Sequence, residues 1–176
     1  MPVMTKMYKL TGNHLYLDKL YEYFCYADSV MYDKAELLYY RDGTYVYPSH
    51  KTLSGEKDFW ARGDGWVFAA LAKVLKDLPL TDNNRPFYET RFRNMAAALI
   101  KIQQPEGYWT RSLLDPAQAE GRETSGTAFF TYGLLWGGLT TDILIKQLTY
   151  QLQHLDGAIF QQLPFSRTEV SDMYSQ

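Results

Sequence analysis

The sequence predicts an all-α fold assembled from helical hairpins. Three observations point there. Apolar residues recur at helical spacing through several long segments. Several of these segments run into proline or glycine, which ends a helix. An acid–glycine–aromatic pattern also recurs after helix-bearing stretches. Arg41-Asp42-Gly43-Thr44-Tyr45 and Pro105-Glu106-Gly107-Tyr108-Trp109 both show it, and Thr11-Gly12-Asn13 is a weaker echo. The separation exceeds the usual solenoid period and fits hairpins set in a ring, with aromatic loops gathered at one end. Coincidence among common turn residues is the other reading of that recurrence.

Taken in order, Pro2 to Leu10 is short, apolar and helical, and Thr11-Gly12-Asn13 is a turn. A second helix places Leu17, Leu20, Tyr21 and Phe24 on one face. Leu37 to Pro48 is aromatic and broken at Asp42-Gly43, a turn or small hairpin, and Ser49 to Asp58 is polar loop. A helix from about Gly65 to Leu78 carries the stripe Val67, Ala70, Leu71, Val74 and Leu78, and Pro79 ends it. Asp82 to Asn84 offers capping oxygens, and Pro86 suits a first helical turn. The helix behind them puts Tyr88, Phe92, Met95, Leu99 and Ile102 on one face and stops at Gln104-Pro105-Glu106-Gly107. Tyr108 to Leu114 is extended. Thr124 or Ser125 caps a last helix, Gly126 to Trp136.

Composition narrows the function. The 176 residues suffice for one domain with a real core. With 46% hydrophobic and 22% charged residues the chain is globular rather than disordered. A formal net charge of −2 gives no bulk attraction to nucleic acid or an anionic membrane. No apolar run reaches transmembrane length, and Lys6 and Lys9 interrupt the early apolar residues, so no signal peptide opens the chain. The single cysteine, Cys25, rules out an internal disulfide and reads as a small core residue. Nothing calls for a cofactor or a metal. The outlier is aromatic content, 16%, with 15 tyrosines. Tyrosines with one wet end line carbohydrate clefts and protein interfaces alike.

The most informative stretch is Trp60-Ala61-Arg62-Gly63-Asp64-Gly65-Trp66. Aromatic faces stack on sugar rings, a guanidinium grips a carboxylate as a two-pronged fork, and glycine lets backbone approach a ligand. The set points to a pocket for an acidic sugar. An ordinary helix start with packed tryptophans accounts for it equally well.

Together the segments resemble glycoside hydrolase family 105, the unsaturated rhamnogalacturonyl hydrolases, and its sister family 88. The carrying motifs occur in family order: Met1-Pro2-Val3, Thr11-Gly12-Asn13 with Tyr16-Leu17, Leu38-Tyr39-Tyr40-Arg41-Asp42, Phe59 to Trp66, Leu78-Pro79, Gln103 to Trp109, Leu114-Asp115-Pro116 and Glu123-Thr124-Ser125-Gly126. The resemblance covers residues 1 to about 136. It implies an incomplete (α/α)6 toroid of the six-hairpin glycosidase type. It implies as ligand an oligosaccharide ending in an unsaturated uronic acid, of the pectin or rhamnogalacturonan type. The implied chemistry is hydration of the C4=C5 bond: an Asp protonates the bond, water adds at C5, and the hemiketal collapses to release the uronyl unit. By carry-over, Trp60 and Trp66 shape the sugar pocket and Arg62 contacts the sugar, with Tyr40 and Arg41 beside them.

Several positions depart from the family. Asp64 replaces a frequent Asn and would need a partner, such as Arg62, near an anionic ligand. Arg41 replaces a frequent His and is either a second uronate-facing cation or a plain surface arginine. Trp109 either lines the cleft or packs inside, the second being favoured. Glu123 precedes a helix start, where the dipole favours a carboxylate in any case. The family's catalytic Asp, in a Trp-x-Asp-x-x-x-Met motif, is expected upstream of Met1, so the catalytic residue is unassigned and the chain is expected to be inactive alone. Residues 137–176 show no family pattern, yet Ser171 to Gln176 re-read in another frame can encode the family's Gly-Tyr-Val-Gln-Pro, so a frameshift near Gly138 is expected. A non-catalytic carbohydrate-binding module and a structural α-toroid are the alternative functions. Oligomeric state and compartment have no sequence signal.

Overall fold

The computed structural model describes residues 1–138. They form an all-α body of five helices with one small hairpin. The predicted tail lies outside the described residues.

Helix α1, Pro2–Thr11, starts on proline and ends at Gly12, whose φ of 69° is the left-handed conformation that glycine adopts without a Cβ clash. Helix α2, Leu15–Met31, follows at once and buries Leu17, Leu20 and Phe24. Tyr21 and Cys25 are only half-buried. Cys25 therefore corrects the core assignment; it lies at the margin of the apolar stripe. Leu15, Tyr23, Tyr26 and Val30 are exposed along one side of the same helix.

The hairpin pairs β1, Tyr32–Asp33, with β2, Leu38–Tyr39, in antiparallel register Tyr32↔Tyr39 and Asp33↔Leu38. Its turn is Lys34 to Leu37, not Asp42-Gly43. The Asp33 carboxylate accepts the Ala35 and Glu36 N–H groups, and Leu37 takes a φ of 62°. The expected turn at Asp42 exists as a separate local one, with Asp42 accepting the Thr44 N–H. A side-chain cap of this kind is available to any Asp, which is why the linear pattern misplaced the hairpin.

Helix α3, Ala61–Asp77, is central and packs against α1, α4 and α5. It starts four residues before the predicted Gly65. Its deepest residues include Phe68, Leu71, Ala72, Val74 and Leu75, while Val67 and Ala70 of the predicted stripe are half-buried. A helix enclosed on most sides has no single stripe to read. Helix α4, Arg85–Lys101, buries Tyr88, Phe92, Met95 and Leu99 as its periodicity predicts, with Ile102 at its C-terminal end. Helix α5, Thr124–Trp136, crosses α3 closely: a Cβ on Gly133 would stand 2.5 Å from the Phe68 ring. That ring stacks on Phe92 at 4.7 Å, tying α3, α4 and α5 into one core. Trp109 is fully buried and donates its indole N–H to the Leu99 carbonyl at 2.9 Å, so it packs rather than lines a cleft.

Candidate active site

The site lies where two extended segments meet at the start of α3. The Ala61 N–H donates to the Arg111 carbonyl at 2.9 Å, and the Leu113 N–H donates to the Phe59 carbonyl at 3.0 Å. Trp60 is extended at φ −96° and ψ 113°, and the helix begins only after this pairing. The register therefore sets Trp60 and Arg62 beside Arg111, although fifty residues of chain intervene.

A third segment joins them. The Asp64 carboxylate, fully buried in the first turn of α3, accepts the Tyr39 N–H at 2.8 Å. This pins β2 to α3 and delivers Arg41 to the same place. Asp64 thus pairs with backbone rather than with Arg62. Its second oxygen has no partner among the described residues. Burial pushes its pKa well above the usual carboxylate value, and the Tyr39 N–H offsets this only in part.

The result is a cleft of about 190 Å³ lined by Arg41, Tyr45, Asp58, Trp60, Arg62 and Arg111. The Arg62 guanidinium stands 4.8 Å from the Trp60 ring centroid. Its one carboxylate neighbour among the described residues, Glu123 at 3.8 Å, is at the outer limit of an ion pair. Glu123 is engaged elsewhere: it caps α5 by accepting the Gly126 N–H and also accepts the Ser125 hydroxyl. The cap is therefore Glu123 rather than Thr124 or Ser125. Gly126 makes this possible, since a Cβ there would meet the Ala61 carbonyl at 2.8 Å.

On the other side, Arg41 lies over Tyr45 at 3.6 Å and pairs with Asp42 at 2.9 Å. Tyr45 in turn meets His50, with ring centroids 3.8 Å apart. His50 Nε2 is 2.9 Å from Asp58 Oδ2, and Asp58 also accepts from Ser112 and Gln118, each at 3.3 Å. The lining's one carboxylate is thus tied into the wall.

Of the five residues expected to bind sugar, Arg41, Trp60 and Arg62 line the cleft. Tyr40 is buried behind it, stacked on Phe59 at 4.6 Å with its hydroxyl on Asp33. Trp66 is exposed, tilted against Phe129, and one helical turn from Arg62 on the same face of α3, beside the cleft rather than in it. Sequence reasoning passed over Asp58, His50 and Arg111 as site residues. Asp58 and His50 read as polar loop, and Arg111 as a residue of an extended strand. No linear signal marks Arg111, because only the strand pairing brings it to the cleft.

The family model described as Glycosyl Hydrolase Family 88 matches residues 1–161. The chain belongs to that family. The unsaturated 3S-rhamnoglycuronyl hydrolase of Formosa agariphila is 36% identical over 140 residues, covering 77% of this chain and 37% of that protein. A solved glycosyl hydrolase family 88 structure from Bacteroides vulgatus is 56% identical with a TM-score of 0.84, over 89% of this chain and 47% of that one. Another solved structure, of a protein described as a polysaccharide lyase, is 60% identical with a TM-score of 0.82, over 86% of this chain and 45% of that one. The chain thus spans less than half the length of each of these relatives. Solved structures of this group are α/α toroids, and the five family 88 helices described here form an arc of such a ring.

Proposed function

We propose that this chain supplies the uronate-binding wall of a glycoside hydrolase. That enzyme removes a terminal unsaturated uronic acid from lyase-generated oligosaccharides of the pectin or rhamnogalacturonan type. The observation that carries the reading is Arg62 held over Trp60 with, among the described residues, a single and distant carboxylate beside it. A planar, anionic ring needs a stacking face and a fork donor at its edge, and this pair offers both. Trp66 extends the aromatic surface along α3, Arg41 adds a second cation, and Tyr40 backs the loop that carries it.

The reaction is hydration. An acid protonates C4 of the C4=C5 bond, water adds at C5, and the hemiketal opens to release the uronyl unit. The residues described here bind and orient the sugar; none of them is assigned as the acid. Asp58 is held by His50, Ser112 and Gln118, and Asp64 is enclosed away from the cleft. The relative described as a polysaccharide lyase supports a second reading, elimination, in which the same arginines would hold the uronate while the C4=C5 bond is formed.

The test is calorimetric titration of the purified chain with an unsaturated uronyl disaccharide and with a neutral disaccharide. Ultraviolet absorbance of the double bond is followed in parallel. The expected outcome is binding of the unsaturated uronyl sugar alone, with its absorbance unchanged. Loss of absorbance would show that the chain holds its own acid. Gain of absorbance from a saturated uronide would favour elimination. Equal affinity for the neutral sugar would overturn the uronate reading.

A further inference from the structure

The two sides of the cleft are held by different means. Trp60 and Arg62 stand on a backbone frame, the pairing of 59–61 with 111–113. Arg41 lies in the segment 41–50, which forms turns but no helix or strand. Backbone hydrogen bonds of that segment close on itself: the Tyr45 N–H donates to the Asp42 carbonyl at 3.0 Å, and the Ser49 N–H to the Val46 carbonyl at 2.9 Å. At its far end His50 meets the frame. His50 Nε2 is 2.9 Å from Asp58 Oδ2, and against a carboxylate that nitrogen is the donor. Asp58 is buried and also accepts from Ser112, the residue that bridges to Trp60.

Side chains carry this anchor back to Arg41. The Arg41 Cζ is 3.6 Å from the Tyr45 ring centroid, and the His50 ring centroid is 3.8 Å from the same point. A neighbour in the plane of a phenol ring cannot come so near its centre, so both groups lie over its faces. Two flat groups at those distances need opposite faces. Tyr45 is therefore clamped between a cation and an imidazole. Asp42 pairs with Arg41 at Nε, but it is the next residue in the chain, is itself exposed, and moves with the loop. It cannot fix Arg41 relative to Trp60 and Arg62. The chain of contacts from Asp58 through His50 and Tyr45 can.

An arginine side chain left free loses rotamer freedom when it grips a ligand, and holding it beforehand removes that cost. We propose that His50 is a positioning residue of the cleft. Braced on Asp58, it holds the Tyr45 ring, and through that ring it sets Arg41 where an anionic sugar meets it. The sugar named here rests on the proposed function; the contact chain does not. Imidazole suits the task because it supplies a donor to Asp58 and a flat face to Tyr45 at once.

The test uses the whole chain, with His50→Ala, His50→Gln, Tyr45→Leu, Arg41→Gln and the double variant Arg41→Gln with His50→Ala. All are compared at one pH, with helical circular dichroism as the folding control. Ordering of Arg41 is read without ligand, from nitrogen relaxation at its Nε by NMR. Affinity for the unsaturated uronyl disaccharide is read by calorimetry. Arg41 Nε should lose its order in His50→Ala and in Tyr45→Leu, and keep part of it in His50→Gln, whose amide still reaches Asp58. Affinity should fall about tenfold in His50→Ala. In the Arg41→Gln background the same change should cost nothing more, because the route from His50 to the sugar runs through Arg41. Arg41 order unmoved by His50→Ala and Tyr45→Leu, or losses of affinity that add in the double variant, would overturn the proposal and leave the uronate reading standing. If the disaccharide does not bind while Arg41 Nε still loosens in His50→Ala, the uronate reading falls and the positioning by His50 stands.

Discussion

Arg91 and Arg62 each lie over an aromatic ring beside a carboxylate, and they end in different states. Arg91 stands 4.3 Å from the Tyr32 ring centroid and closes its fork on both oxygens of Asp28, at 2.9 and 2.7 Å. Asp28 also accepts the Tyr39 hydroxyl at 2.6 Å, so the carboxylate is answered as fully as the cation. Both side chains are largely buried, and the pairing pushes the Arg91 pKa above its usual value. Arg62 has the same ingredients in looser form: half of its side chain is exposed, and Glu123 stands at 3.8 Å while capping α5. The difference separates an arginine whose fork is closed within the fold from one whose fork is left largely open. Identical residue types carry both tasks, and what distinguishes them is whether the nearby carboxylate has another obligation.

The largest effect expected from this contrast is on stability. Arg91→Ala leaves Asp28 buried without its cation and should cost about 3–5 kcal/mol in urea unfolding. A cost under about 1 kcal/mol would show that the pair is not closed and would erase the contrast. Arg62→Ala should move stability by no more than about 0.5 kcal/mol. It should weaken binding of the unsaturated uronyl disaccharide by about 1.5–3 kcal/mol, the scale of a charge-assisted hydrogen bond. An unfolding penalty equal to that of Arg91→Ala would make Arg62 a structural residue and break the comparison from its other side.

A smaller effect sharpens the picture through the two buried aspartates of α3. Lys6 and Lys9 outweigh burial at Asp77 and hold its pKa below the usual value. At Asp64 burial wins and the pKa rises above its unfolded value of 3.8. Stability from Asp64 is therefore full below that value and is lost as pH rises through the raised folded pKa. Asn cannot ionise, and its carbonyl can still accept the Tyr39 N–H. Asp64→Asn should gain on the wild type as pH rises toward neutrality, by roughly 1 kcal/mol, in thermal unfolding compared at each pH. Asp77 and Asp33 titrate in both proteins, so the difference isolates Asp64. Parallel pH profiles would show that the buried carboxyl is not the strained group.

The sequence by itself determined the helices and the order in which they come. Periodic apolar residues in α2 and α4, Gly12 at a left-handed end and Pro79 behind α3 are local signals, and each was read from a few neighbouring residues. The motif from Trp60 to Trp66 was equally visible, as was its resemblance to a family of sugar-active enzymes. Only the tertiary structure decided what those residues face. Ala61, not Gly65, opens α3, because the pairing with Arg111 and Leu113 runs up to that point. Glu123 became the cap because Gly126 lets α5 come against Ala61. Asp64 turned inward to Tyr39, Trp109 to Leu99, and Arg111 into the cleft. Helical periodicity is a property of the nearest three or four residues, whereas a hydrogen bond or an unanswered charge depends on whatever distant segment the packed core brings alongside.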